Sequence, residues 1–319
     1  MTVRGKKIGL LFVVTPVVFL VYYYAFSQKG EDSIILDQDI HEYSHLTTEI
    51  FDYTQCTAIR SRGKGKKYVF YSHVTKAGGT SVYVILQREA ERRGQTFEGN
   101  SRVLYKRTGI YSKANIHQEL ARRSLWASEL PFRNFEKIVS HSAWFKIVML
   151  RDPLERFNSY RQMRANTPKA VWDEYRSPAP SVKRGIIRSL ANLQCDFVSR
   201  DKSSCDAKSL NFWELVLLFE EFNSSIALIC IFLKISDKNC CLPFVNMKKR
   251  DSFPLPELSS SDKRYFKKMN KQDIMLYVQA RRKFYTTLSC LKSEVNSYLS
   301  NMKICTNVSG VKINPGSQR

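Results

Sequence analysis

One stretch constrains this chain more than any other: an apolar, strand-forming run that ends in a turn carrying lysine and glycine. Tyr68-Val69-Phe70-Tyr71-Ser72-His73-Val74 has the β-branched and aromatic content of a buried strand. Thr75-Lys76-Ala77-Gly78-Gly79-Thr80-Ser81 then leads into the hydroxyl-rich start of a helix. The first backbone N–H groups of a helix have no internal partner, and the helix dipole adds about half a positive charge there. Glycine lets backbone approach a ligand closely, Lys76 adds a mobile full charge, and Thr80 and Ser81 can donate hydrogen bonds. Such a turn suits a phosphate. It is not the usual nucleotide-triphosphatase loop, because in that pattern lysine follows the last glycine, whereas Lys76 precedes Gly78 and Gly79.

A second stretch agrees with the first. In Lys146-Ile147-Val148-Met149-Leu150-Arg151-Asp152-Pro153-Leu154-Glu155-Arg156-Phe157-Asn158-Ser159-Tyr160 the run from Ile147 to Leu150 is continuously apolar, as in a strand buried on both faces. Pro153 fits the first turn of a helix, Asp152 can cap it, and the helix then carries Arg156 and Ser159 three residues apart on one face. Arg151 falls at the strand's C-terminal edge, where ligands bind in open α/β sheets. With Ser159 it offers a planar fork and a hydroxyl, a second anion site. Strands are expected at 68–74, 137–140 and 146–150. Helices are expected at 80–93, 116–130, 153–165 and 183–194, and again at 223–234 and 271–298. Strands alternating with helices make this an α/β chain with a parallel sheet flanked by helices.

The two motifs, in this order, resemble those of the sulfotransferase superfamily. There a Lys-x-Gly-Gly-Thr-Ser segment after a strand holds the 5′-phosphosulfate of 3′-phosphoadenosine 5′-phosphosulfate. An Arg-Asp-Pro-x-x-Arg-x-x-Ser-Tyr segment holds the 3′-phosphate. The resemblance implies a P-loop-like sulfotransferase fold with that nucleotide as co-substrate and no metal. It assigns donor binding to Lys76, Ala77, Gly78, Gly79, Thr80, Ser81, Arg151 and Ser159, with Lys76 neutralising the leaving oxygen. A kinase needs no 3′-phosphate site, so the second motif separates the two readings. Trp213 to Leu228 is similar to a strand–helix segment of Golgi galactose 3-O-sulfotransferases, the galactosylceramide sulfotransferase type, and of related membrane-bound carbohydrate sulfotransferases. Leu276-Tyr277-Val278-Gln279-Ala280, with Asp273 before it, resembles a late helix of the same enzymes. The resemblance covers roughly residues 66–290. It implies transfer to a glycan hydroxyl, with galactose of a glycolipid or glycoprotein leading. A glycosaminoglycan acceptor is the alternative, and an inactive glycan-binding relative is the second.

A transferase of this kind needs a base for the acceptor hydroxyl, and histidine suits it because its ordinary pKa lies near neutrality. Of five histidines, His141 follows the expected 137–140 strand, a place comparable to that of the catalytic histidine in the resembling enzymes. Its connection to Arg151 is shorter than in that family, and Ser140-His141-Ser142-Ala143-Trp144 replaces a fuller Thr-His-x-x-Phe wording. His73 and Glu220 are the alternatives.

The ends of the chain place the domain. Residues 8–26 carry no charge and span about 28 Å at ~1.5 Å per residue, close to a bilayer core. Arg4, Lys6 and Lys7 precede them. By the positive-inside rule residues 1–7 are a cytosolic tail and 8–26 an N-terminal transmembrane helix. Residues 27–65 are then a lumenal stem, 66–300 the catalytic domain and 301–319 a C-terminal tail, in a Golgi membrane protein of single-pass type II topology. All eight cysteines follow the anchor, where disulfides are permitted, and the spacing of Cys195 and Cys205 suits a local bridge. Cys230 reads as core. No C-x-x-C pair occurs, which argues against a zinc or redox site. Sequons occur at Asn223 and Asn307, with Asn307 expected to be the more available for glycosylation. The formal charge of +22 sets up a field that draws in polyanionic donor. Nucleic acid would suit that charge too, but no nucleic-acid motif is present and a lumenal domain would not meet it.

Overall fold

The computed structural model describes residues 53–95, 97–99, 124–129, 131–134, 136–139, 142–165, 179–200, 205, 207–236, 238–242, 255 and 257–304. All of them belong to one unit that begins at Tyr53. Strands β1 (Tyr68–Ser72), β2 (Phe97–Gly99), β3 (Leu125–Ser128), β4 (Trp144–Leu150) and β5 (Leu215–Leu218) form a five-stranded sheet in the order β2-β3-β1-β4-β5. Every neighbouring pair is parallel. The expected α/β class and parallel sheet are therefore present. Every residue of β3, β4 and β5 is buried, as helical cover on both faces of a parallel sheet demands.

The helices are α1 (Tyr53–Ser61), α2 (Gly79–Arg92), α3 (Glu136–Val139), α4 (Pro153–Ala165), α5 (Pro180–Ser189) and α6 (Leu193–Val198). They continue with α7 (Ala207–Asn211), α8 (Phe222–Phe232), α9 (Ser260–Met269), α10 (Lys271–Cys290) and α11 (Lys292–Asn301). A two-stranded parallel pair, β6 (Cys241–Leu242) and β7 (Lys303–Ile304), closes the C-terminal end. The main core joins the sheet to Ile59 of α1, Leu86 of α2, Ile229 of α8 and Phe284 of α10. A satellite core of Phe157, Ile187, Leu190 and Phe266 ties α4 to α5 and α9.

Local pattern and tertiary pairing disagree at two places. The helix expected over 116–130 gives way, in its described part, to β3, whose Leu-Trp-Ala-Ser run is held between β1 and β2 and fully buried. The strand expected at 137–140 is instead the short helix α3. Here β4 starts at Trp144 and already occupies the place beside β1. A four-residue segment with only Ile138 and Val139 apolar does not by itself distinguish strand from helix. The helix expected over 271–298 breaks at Leu291 into α10 and α11.

Disulfides link Cys56 to Cys290, Cys195 to Cys205 and Cys230 to Cys240. The local Cys195–Cys205 bridge is thus borne out, whereas Cys230 is cross-linked and not merely core. Cys241 is disulfide-bonded as well. The first bridge fastens α1 to the end of α10, so part of the stem expected over 27–65 belongs to the globular unit. Among the described residues no helix is long and apolar enough to cross a membrane. The expected transmembrane segment 8–26 lies outside the described residues.

Candidate functional site

The C-terminal ends of β3, β1, β4 and β5 lie side by side and deliver, in that order, Glu129, the His73–Ser81 turn, Arg151–Asp152 and Phe219–Glu220. From β1 the chain moves toward the β3 edge, and from β4 it moves to β5 on the other side. The crevice between β1 and β4 is therefore the switch point at which open α/β sheets bind ligands. Both sequence motifs open onto it.

After β1 the backbone enters the left-handed region twice, at Lys76 (φ 69°) and Gly78 (φ 76°). For lysine that conformation costs about 1–2 kcal/mol, strain that clusters at ligand-binding turns. Gly78 is required. A Cβ there would lie 2.7 Å from Cδ2 of Phe219 and 3.0 Å from Sδ of Met149, so the turn rests directly on β4 and β5. Gly78 caps α2 with its carbonyl, which accepts from the N–H of Ser81 (3.1 Å) and Val82 (3.4 Å). No side chain caps the helix. The N–H groups of Gly79 and Thr80, on its first turn, are thus left for an external acceptor. The hydroxyls of the partly exposed Thr80 and the buried Ser81 are not spent on capping either.

Arg151 joins the two motifs. Its NH1 donates to the carbonyl of Lys76 at 3.3 Å, and its guanidinium lies 4.5 Å from the centre of the Phe219 ring. Its backbone is clamped by Gln194, whose Oε1 accepts from Arg151 N–H (2.9 Å) while its Nε2 donates to Arg151 O (2.8 Å). Nε of Arg151 is buried without a partner, and among the described residues the only acid paired with the guanidinium is the exposed Glu155 at 3.6 Å. Lys76 is held below the ordinary lysine range, first by burial and then by Arg151. Two cations that raise each other's energy beside unpaired N–H groups make a site short of one anion.

The rest of the second motif divides. Asp152 caps α4, its Oδ1 accepting from Leu154 and Glu155 N–H, both at 2.9 Å. Burial lifts its carboxyl to about 6. Glu220 closes that side, with Oε1 accepting from Asp152 N–H (2.8 Å) and Oε2 accepting from Tyr277 O–H (2.7 Å). With both oxygens engaged, Glu220 is poorly placed to be the base. Arg156 does not share a ligand face with Ser159. It is fully buried, with NH2 4.0 Å from Asp273 and donating to Leu190 O at 3.5 Å. Asp273 in turn accepts from Gln194 N–H (3.1 Å) and Cys195 N–H (2.8 Å). Ser159 sits half-buried on the second turn of α4.

His73 lies on the β3 side. Its N–H donates to Ser128 O at 2.7 Å, extending the β1–β3 pairing by one residue. Its Nδ1 stands 3.3 Å from Oε1 of Glu129. The ring packs so tightly on Gly79 that a Cβ there would fall 2.0 Å from Nε2. Burial lowers its pKa, against the pull of Glu129 and together with Lys76. His141 and Asn307 lie outside the described residues. Asn223 is exposed on the first turn of α8, so its place in a packed strand–helix segment does not bury it.

Sequence reading alone did not find Glu129, Gln194 or Phe219 as parts of the site. Each lies far along the chain from what it touches, and only the strand order brings them together. Among the described residues no group of His, Cys, Asp or Glu is arranged to hold a metal ion. No protein-family model matches the chain, and no curated protein matches it.

Proposed function

We propose that this chain transfers a sulfuryl group from 3′-phosphoadenosine 5′-phosphosulfate to a glycan hydroxyl, most directly that of galactose on a glycolipid or glycoprotein. The observation that carries the reading is the meeting of Lys76 and Arg151 over the open N-terminus of α2. A nucleotide with phosphate on both sides of its ribose needs two anion sites, one from each motif. The turn 76–81 takes the 5′-phosphosulfate, and Arg151 with Ser159 takes the 3′-phosphate. In-line transfer leaves charge on a phosphate oxygen, and Lys76, poorly solvated and short of a counter-charge, gains most from neutralising it. The resemblance to sulfotransferases makes His141 the expected proton acceptor. The disulfides support a lumenal, Golgi-type location behind a membrane anchor.

The test is transfer of labelled sulfate from the donor to lipid-linked, protein-linked and glycosaminoglycan acceptors, with Lys76→Ala alongside. Transfer to a neutral galactoside that falls about 100-fold or more in Lys76→Ala is expected. Full activity in Lys76→Ala removes the mechanism. Transfer to glycosaminoglycan alone moves the acceptor class to a polyanion. Binding of adenosine 3′,5′-bisphosphate without transfer to any acceptor leaves a glycan-binding relative. Tighter binding of adenosine triphosphate than of the bisphosphate restores the kinase reading.

A further inference from the structure

The mechanism above uses Lys76 and Arg151 but leaves the best-built acid–base pair of the described residues without a role. His73, three residues upstream of Lys76 and directly against Gly79, and Glu129 follow neighbouring parallel strands at the sheet's ligand-binding edge. We propose that His73, aimed by Glu129, is the base that takes the proton from the acceptor hydroxyl, in place of His141. The proposal rests on the sulfuryl-transfer reading and names a different residue for one step of it.

Three features of the pair fit the task. The first is orientation. Nδ1 of His73 faces Oε1 of Glu129 at 3.3 Å, which places the ring proton on Nδ1 and leaves Nε2 bare. A base held in one tautomer by a carboxylate behind it is the arrangement by which histidine activates hydroxyls on unrelated folds. The second is location. The ring face carrying Nε2 and Cδ2 lies on Gly79, the first residue of α2, beside the N–H groups that would hold the donor. The third is fixity. The ring stacks on Tyr71, with centroids 6.1 Å apart and planes at 22°, and its backbone N–H is tied to β3. The groups facing it are Glu129, Lys76, Tyr71 and the Gly79 backbone, with Arg151 behind Lys76. Burial and Lys76 favour the neutral ring needed at the start, while Glu129 favours the imidazolium formed afterwards.

The step balances without a further reactant. The acceptor O–H bond breaks and its proton goes to Nε2 of His73. The acceptor oxygen bonds to sulfur as the bond between sulfur and the phosphate oxygen breaks. The leaving nucleotide, 3′,5′-bisphosphorylated, carries its new charge against Lys76.

The experiment compares wild type, His73→Gln and Glu129→Gln in the full chain. Sulfate transfer to N-acetyllactosamine is followed over pH, and adenosine 3′,5′-bisphosphate binding is measured separately. Loss of a base costs about 100-fold or more in kcat, so His73→Gln is expected to fall that far while bisphosphate affinity stays within about threefold. Glu129→Gln is expected to move the acid limb of the kcat profile to lower pH, because the carboxylate that raises the His73 pKa is gone. Three results overturn the assignment: wild-type kcat in His73→Gln, kcat and bisphosphate affinity lost together in His73→Gln, or an unmoved acid limb in Glu129→Gln. If the wild type binds bisphosphate but transfers nothing, the proposed function fails on its own. The pair is then judged by imidazole NMR. An Nδ1-protonated ring whose pKa drops in Glu129→Gln supports it, and any other tautomer or an unchanged pKa defeats it.

Discussion

Replacing Gly79 with alanine puts a single methyl group where the His73 ring already is. The new Cβ would lie 1.6 Å from Cδ2, 2.0 Å from Nε2 and 2.4 Å from Cγ of that ring. No real contact is so short, so something must move. The helix start is held by the Ser81 and Val82 N–H bonds to Gly78 and by the seat of Gly78 on Phe219 and Met149. The ring is the softer party, and it yields by leaving Tyr71 and Glu129 for solvent. Overpacking of this kind costs about 1–3 kcal/mol. Removing a helical glycine returns up to roughly 1 kcal/mol, less at a helix start. The net expectation is a loss of about 1–2 kcal/mol, which for a domain of this size is a drop of about 2–8 °C in Tm. The decisive comparison is the same substitution in a His73→Ala background, where the ring that the Cβ would strike is gone. There Gly79→Ala should be neutral or slightly stabilising, giving a coupling of about 1–3 kcal/mol in a double-mutant cycle. Urea and thermal unfolding of the four proteins measure it. Equal costs in both backgrounds would refute the account, because the clash would then not be with His73.

Two further outcomes follow from the second motif. Asp273→Ala strands the fully buried Arg156 charge and frees the Gln194 and Cys195 N–H groups, at a cost of about 3–5 kcal/mol. Because Gln194 clamps Arg151, bisphosphate binding should weaken too, and a melt within about 2 °C of wild type would sink this reading. Asp152 supplies a pH test. Its folded carboxyl titrates at about 6 against an ordinary 3.8, so the folded chain holds the proton more tightly than the unfolded one. Stability from this group therefore falls as pH rises from about 4 to about 6, and Asp152→Asn escapes the fall. The Tm of Asp152→Asn minus that of wild type should grow across that window and level off above it. A difference that stays constant with pH would show that Asp152 does not titrate there.

Much of the site was legible along the chain because it is local. A strand, a Lys-Ala-Gly-Gly turn and a hydroxyl-rich helix start are contiguous, and so are the apolar run 147–150, Arg151, the Asp152 cap and Pro153. Local chemistry determined these pieces: glycine where φ is positive, proline at a first helical turn, continuous apolarity where both faces are covered. Local pattern failed at 125–128 and 136–139, where short segments fit either regular structure: one edge of β1 took 125–128 as a strand, and 144–150 took the other edge. It also failed for Arg156, which one helical turn places near Ser159 and which tertiary packing turns into the core toward Asp273.

By itself, then, the sequence determined an α/β chain with two phosphate-suited turns. Only the tertiary structure decided that they share one crevice, and the reason is the strand order. With β4 beside β1, Arg151 reaches the Lys76 carbonyl across 75 residues of chain. With β3 on the other flank, Glu129 comes to rest behind His73. A strand's neighbours are set by which edge buries the most surface and satisfies the most backbone bonds, a contest among distant segments that no local pattern records.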